Sequence, residues 1–464
     1  LLVRTRWGNL WDHLRSTYWF LPTGMTMGAL ALALLTTRLD HRLHRQSGGQ
    51  AWTGWLWEGG AEGAREVLSI IASSAINLAG VTFSITIVAL TLASSQFGPR
   101  MLRNFMRDTG NQVVLGTFVA TFTYCLLALR TLRADNHQLV PHVSVTVGLA
   151  LALLSLGVLI FFIHHVASSI QAERLVANVA ADLHEAIEKM FPERSGAAQD
   201  REDGRRVETE LPKAKPFPVR AAGRGYVQAI DGAQLLQAAG EEDLVVRTER
   251  RPGDFVADGD LLASVWPAER CGPELSGRIR GSFLLGRQRT QFQDIEYTLH
   301  QLVEIAVRAL SPAYNDPFTA MACLDWLGSA LAELAGRDFP AAWQADAQGR
   351  LRLVTKASPF HDLVDAAFNQ IRQNGRKSVS VTLRILTVIG RVAARAVRPE
   401  DRRALRCHAE LVLRDAREEL TNENDLHEIE LRYQETMAVL APEDVPARRR
   451  EAAEDRAALA GAGA

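Results

Sequence analysis

Cysteine is scarce in this chain: Cys125, Cys271, Cys323 and Cys407 are its only 4. They lie far apart and make no Cys-x-x-Cys pair, which excludes a disulfide-stapled scaffold and a cysteine-based zinc site; each is expected to be an isolated buried thiol. A surplus of either charge is also missing. The 52 Lys and Arg residues offset 53 Asp and Glu residues, for a net charge of -1. Nucleic-acid binding needs a concentrated basic face, so that class of partner is set aside.

Catalytic signatures are missing as well. Gly223-Arg224-Gly225 lacks the Lys-Ser or Lys-Thr of a phosphate-cradling loop, and no nucleophile is placed with a base. Adjacent carboxylates such as Glu241-Glu242 and Glu418-Glu419 fall on polar faces and need no catalytic role. No catalytic residue, cofactor site or metal site is therefore expected, and the chain reads as something other than an enzyme.

The most informative absence is local. Four long stretches in the first third carry no Asp, Glu, Lys or Arg: residues 18-37, 67-94, 112-129 and 143-166. Crossing about 30 Å of hydrocarbon takes about 20 apolar helical residues, because each adds about 1.5 Å and no water is present to satisfy the backbone. Each stretch meets that length. The first is about twice as long as the apolar core of a signal peptide and has no small-residue cleavage site, so it is expected to stay as a span.

An even number of spans puts both termini on one side. Arg4, Arg6 and Arg15 precede the first span and Arg100, Arg103 and Arg107 follow the second. Arg38, Arg42, Arg45 and Arg65 on the opposite side nearly cancel that bias. The loop between the first two spans holds Trp52, Trp55 and Trp57, an interfacial aromatic set, and nothing downstream resembles an exported, disulfide-tied domain. The expectation is a bacterial inner-membrane protein with both termini in the cytoplasm.

The second span carries a pattern of its own. Ser73, Asn77, Gly80, Ser84, Thr91 and Ser95 are spaced by three, four or seven, which at about 100° per residue gathers them into one stripe. Small and hydroxyl residues let membrane helices approach closely, so the stripe is expected to serve either as a packing surface or as the wall of a path for small ions. Gly98-Pro99 then breaks the helix. Arg100, Arg103 and Arg107 follow on one helical face, placed to bind lipid headgroups or to ring an inner mouth. His164 and His165 end the fourth span; as sequence neighbours they point apart, which favours interfacial anchoring over a proton relay.

Behind the spans, a polar helix with Leu175, Val176, Val179 and Leu183 on one face is expected over 171-191. Residues 192-218, with Pro212, Pro216 and Pro218, read as a linker. Alternation at Tyr226-Ile230 and Leu244-Thr248 predicts strands of a small β-domain over 219-290. Within it, Gly253-Val265 looks like the hairpin of barrel-sandwich carriers, but its tip is Asp258-Gly259-Asp260 where a carrier needs lysine, so a rigid spacer is expected.

Residues 291-441 read as a helical domain. Ile295, Leu299, Leu302, Val303, Ile305, Ala306 and Leu310 share a face, and Pro312 stops that helix. In Ser311-Pro312-Ala313-Tyr314-Asn315-Asp316-Pro317, Asp316 is placed to cap the next helix; Ser311, Asn315 and Asp316 form a candidate site at the break. Further helices are expected over 360-373, 378-397, 400-419 and 424-440. Residues 442-464, mostly Ala, Arg and Glu, are expected to be a disordered tail.

Taken together, Ser84-Ile85-Thr86, Ser94-Ser95-Gln96-Phe97-Gly98-Pro99-Arg100, Arg103-Asn104-Phe105, Gly116-Thr117-Phe118, Phe162-Ile163-His164-His165, Ser311-Pro312 and Asn315-Asp316-Pro317 resemble the bacterial family called domain of unknown function 2254. The resemblance runs over most of the chain and stops near Pro442. It implies a membrane topology and assigns no activity, substrate or catalytic residue.

The resulting expectation is a mainly α protein: a four-helix transmembrane bundle over 1-170, then a small barrel-sandwich-like β-domain and a helical cytoplasmic domain. Its partners would be the lipid bilayer and further copies of itself. Two functions fit: an oligomeric ion channel or transporter-like protein with the second helix lining the path, or a membrane-anchored scaffold or sensor whose cytoplasmic helices bind partners.

Overall fold

The computed structural model describes residues 19-47, 60-98, 108-131, 142-169, 171-193, 211-356 and 358-441. The expected disordered tail and Arg100, Arg103 and Arg107 lie outside them. The chain divides into two compact units, Leu1-Leu175 and Val176-Ala464.

The first unit is helical. Its elements are α1 (Phe20-Ser47), α2 (Ala61-Phe97), α3 (Thr109-Thr131) and α4 (His142-Ser169). Each contains one uncharged stretch and runs past it. α1 continues through Arg38, Asp40 and Arg42 into what reads in the sequence as a loop, while α2 ends where Gly98 takes a φ of 103°. α3 is the hub: it packs against α1, α2 and α4 and buries Val114, Leu115, Phe118, Tyr124 and Cys125.

Around this hub the unit turns its apolar side chains outward. Leu34, Leu35, Val81, Val88, Leu153, Leu154, Ile160 and Ile163 are all exposed. Such a surface is unfavourable in water and suits hydrocarbon, where an apolar exterior costs nothing and every backbone amide is paired within its helix.

The second unit begins inside α5 (Ala172-Met190), whose inward face carries the expected Leu175, Val176, Val179 and Leu183, all buried. Two small sheets follow. Their strands are β1 (Phe217-Arg220), β2 (Gly225-Ile230), β3 (Val245-Thr248), β4 (Phe255-Val256), β5 (Leu261-Trp266) and β6 (Phe283-Gly286). Helices α6 (Gly232-Glu241) and α7 (Pro273-Gly281) are interleaved with them. The predicted strands at 226-230 and 244-248 correspond to β2 and β3; Pro218, read as linker, lies in β1.

The sheet order is β1-β5-β3-β8-β7 for the larger sheet, completed by β7 (Trp343-Ala345) and β8 (Leu351-Val354), and β4-β2-β6 for the smaller. Two sequence expectations are corrected here. The 253-265 segment is not a simple hairpin, because β4 pairs with β2 while β5 pairs with β1 and β3. The region beyond 291 is not purely helical, since β8 crosses back to lie parallel to β3. Val219, Val246, Leu262, Val265, Ile279 and Leu353 form the shared core.

The helical part comprises α8 (Ile295-Ala309), α9 (Pro317-Ala335), α10 (Phe360-Gly375), α11 (Val379-Ala393), α12 (Pro399-Glu419) and α13 (Glu423-Leu440). α8 with α9, and α10 with α11, make two helical hairpins. They stack so that α8 lies on α10 and α9 on α11. α9 and α11 come close at Gly328, where an added Cβ would stand 2.4 Å from Val388 Cγ1.

Length and hydropathy make α9 a fifth candidate span beside α1 to α4, one more than the sequence count. Unlike those four it carries acids inside its apolar stretch. Asp325 pairs with Arg384 at 3.2 Å and Arg391 at 3.3 Å, and half of its apolar window is buried by protein.

Candidate functional site

The two faces of α2 differ in kind. Ala64, Leu68, Ala72, Ala75, Ala79, Thr82, Ala89 and Ala93 face the bundle and are buried. The methyl side chains of its six alanines let α2 lie close against α3. Ser73, Asn77, Gly80, Ser84, Thr91 and Ser95 all face away from the bundle and are exposed, so the stripe does not pack the helices of its own unit.

Its hydroxyls are satisfied locally. Ser73 donates to Ser69 O at 2.9 Å, Ser84 to Gly80 O at 2.9 Å, Thr91 to Ile87 O at 2.9 Å and Ser95 to Leu92 O at 2.8 Å. Back-bonding of this kind hides a hydroxyl's donor without a tertiary partner. Asn77 has no such outlet. Among the described residues its carboxamide has no hydrogen-bond partner, and no atom lies within 4 Å of the position a Gly80 side chain would take.

Two polar networks that sequence reasoning missed tie the same unit together. At one end Asp40 accepts from Val143 N at 2.9 Å, Ser144 N at 3.1 Å and Ser144 Oγ at 2.6 Å, capping α4 from across the bundle. Tyr124 Oη donates to Ser144 O at 3.0 Å and lies 3.1 Å from Thr36 Oγ1. At the other, His165 Nε2 lies 2.7 Å from Asp108 Oδ2, while Asp108 Oδ1 accepts from Gly110 N at 2.8 Å. A Cβ at Gly110 would stand 2.6 Å from that imidazole, so glycine is required for the approach.

His165 is therefore a cross-helix partner rather than only an interfacial anchor. The Asp108-Thr109-Gly110 cap was the available sequence signal.

At the 311-317 break the geometry is that of a capped turn. Asp316 Oδ1 accepts from Phe318 N and Thr319 N, each at 3.1 Å, and its Oδ2 accepts from Thr319 Oγ1 at 2.5 Å. Asn315 adopts a φ of 47°, and its amide donates to Ser311 O at 2.9 Å. The carboxylate of Asp316 is thus occupied by its own helix.

Elsewhere in the second unit, polar groups are paired for structure. His408 Nε2 lies 2.7 Å from Asp365 Oδ1 beneath Phe368, and Arg372 binds Asp415 one helical step further along. Burial holds the His408 imidazole below its ordinary range; Asp365 pulls it up and Arg372 pushes it further down. The Asp346 carboxyl is also held low: burial opposes its charge, yet the Arg350 and Gln348 amides and the Arg352 guanidinium hold it at about 2.

A groove of about 570 Å³ between α9 and α11 is bordered by Asp325, Ser329, Glu333, Arg391 and Arg395. No group of three or more His, Cys, Asp or Glu residues is placed to hold a metal among the described residues. Three of the cysteines are buried as expected, but Cys407 is exposed.

Comparison with known proteins agrees with the apolar unit. A model of the family described as "Predicted membrane protein (DUF2254)" matches residues 15-391. An uncharacterized protein of Mycobacterium bovis is 33% identical over 422 residues, covering 89% of this chain and 79% of that protein. An uncharacterized protein of Mycobacterium tuberculosis shows the same identity and coverage. No solved structure matches the chain. With an apolar helical unit in hand and a family match that begins before α1 and runs into α11, the chain belongs to the predicted membrane protein family DUF2254.

Proposed function

We propose that the protein is an oligomeric channel or transporter-like protein of the bacterial inner membrane, in which α2 of each copy faces the others and its polar stripe borders a path for small ions. In this reading α1 to α4 are the spans, α9 is a core helix of the second unit, and both termini are cytoplasmic. The observation that supports it is the direction of the stripe. A carboxamide at Asn77, beside Gly80 and Ser84, is poorly matched to hydrocarbon and well matched to a second polar helix or to water. Arg100, Arg103 and Arg107, which continue the chain beyond α2, would then stand near the mouth and favour anions.

The test is ion flux in proteoliposomes, together with the mass of the intact assembly in native mass spectrometry. A multimer whose chloride or potassium flux is abolished by Ser84→Leu and changed by Arg100→Glu meets the expectation. A multimer without flux under any gradient or voltage leaves the stripe as a packing surface and favours the membrane-anchored scaffold or sensor. A strict monomer rejects the shared path.

A further inference from the structure

The groove of about 570 Å³ between α9 and α11 opens beside the point where the two helices touch. Gly328 and Val388 make that contact, and both are buried. Away from it the facing positions are small: Ser329 and Ala332 on α9, and Ala394 at the end of α11. Side chains of that size do not fill the space between two helices, so a void with an apolar floor remains. Its volume falls in the range of small-molecule sites, about 300–1,000 Å³.

The charges around the groove are unevenly matched. Arg384 and Arg391 share one carboxylate, that of Asp325, at 3.2 and 3.3 Å. A well-made charge-assisted bond is shorter, about 2.7–2.9 Å, so neither guanidinium is fully engaged. Arg395 follows Arg391 by four positions, in the turn that closes α11, where its amide donates to Val392 O at 3.0 Å. Residues four apart on a helix are neighbours, and like charges there repel. Among the described residues no carboxylate or other acceptor answers the Arg395 guanidinium.

The second acid on the rim does not redress the balance. Glu333 is already engaged by Arg337 at 2.7 Å and by His184 Nδ1 at 2.6 Å. Three guanidiniums therefore share the single carboxylate of Asp325, which leaves an excess of two positive charges along one wall.

We infer that this groove binds a phosphate monoester, its phosphoryl group held between Arg391 and Arg395 and its organic portion lying over Gly328, Ala332 and Val388. A phosphate monoester carries about two negative charges near neutral pH, which equals the excess on the wall. Its three terminal oxygens accept from both guanidinium forks at once, where a carboxylate offers only two. Ser329, exposed on the α9 wall, adds a hydroxyl for a further bond. The groove is far larger than an inorganic ion, and its apolar floor suits carbon. Soluble sugar or glycerol phosphates and the phosphatidate headgroup all present this chemistry. The site lies wholly within the second unit and does not depend on an ion path beside α2.

Isothermal titration calorimetry tests it on the full-length protein in dodecyl maltoside and phosphate-free buffer. Glycerol 3-phosphate is the soluble probe and dihexanoylphosphatidate the lipid probe. Saturable binding of one molecule per chain is expected, and the tighter probe identifies the source as metabolite or headgroup. Arg391→Ala and Arg395→Ala should each weaken binding about tenfold, the loss of one charge-assisted hydrogen bond, and Arg395→Lys should weaken it less. Asp325→Asn should tighten binding several-fold, because it removes the carboxylate that competes for Arg391; misfolding cannot produce such a gain. Failure of both probes to bind overturns the inference, and so does binding that Arg391→Ala and Arg395→Ala leave unchanged. Circular dichroism melts matching the parent protein establish that each variant is folded.

Discussion

Asp40 and His408 show how differently one side chain can be read from sequence and from structure. Asp40 looks like a loop acid just past a span, yet it satisfies the first amides of α4, 103 and 104 positions away. Losing a helix cap costs about 0.5–2 kcal/mol. Asp40→Ala is therefore expected to lower the melting temperature of the detergent-solubilised protein, whereas Asp40→Asn, which keeps an acceptor, should lower it less.

His408 predicts a pH effect of definite sign. Its folded pKa lies below the ordinary value, so as pH falls through about 6.5 the unfolded chain takes up the proton first. Stability contributed by the neutral imidazole is present above that pH and declines below it. A series of melts in mildly acidic buffers should show this decline in the parent, and His408→Gln should flatten it. Capping by Asp316 was legible because acid and amides are adjacent in sequence. Asp40, by contrast, and the pairing of His165 with Asp108 depend on helices that only the fold brings together.

At the level of elements, what the sequence shows best is periodicity sustained over several turns. The four uncharged stretches and the amphipathic patterns of α8, α10, α12 and α13 place those helices within a few residues of their observed ends, except where α1 and α2 outrun their uncharged cores. Short elements are less legible. β7 and β8 are three and four residues long and sit in a helical context, so no alternation develops, and the strand that β8 joins, β3, is about a hundred positions earlier. The 253-265 segment has a hairpin's turn chemistry, but two strands that join different sheets cannot be told from two that pair with each other.

Helix packing also yields a testable contact. Adding a methyl group at Gly328 overpacks its contact with Val388, at a cost of about 1–3 kcal/mol. Gly328→Ala should destabilise the protein to chemical denaturation, and Val388→Ala in the same chain should restore part of the loss. Independent, additive effects from the two substitutions would show that the helices do not touch there.

For the molecule as a whole, the sequence distinguishes the solvents of its two units more readily than it describes their architecture. Uncharged length marks the unit that belongs in hydrocarbon, and the direction of the polar stripe emerges only once the alanine face of α2 is seen against α3. Asn77 and Gly80 read the same way in sequence whether they face inward or outward.

The length of α2 carries a last consequence. Between Glu66 and Gly98 the helix has no charged residue for about 45 Å, while hydrocarbon is about 30 Å thick. The surplus must be taken up by leaning the helix or by thickening the lipid around it, at a cost that changes with every added acyl carbon. Lengthening the chains of the host lipid from fourteen to twenty-two carbons is thus expected to raise the protein's melting temperature toward an optimum in the thicker membranes.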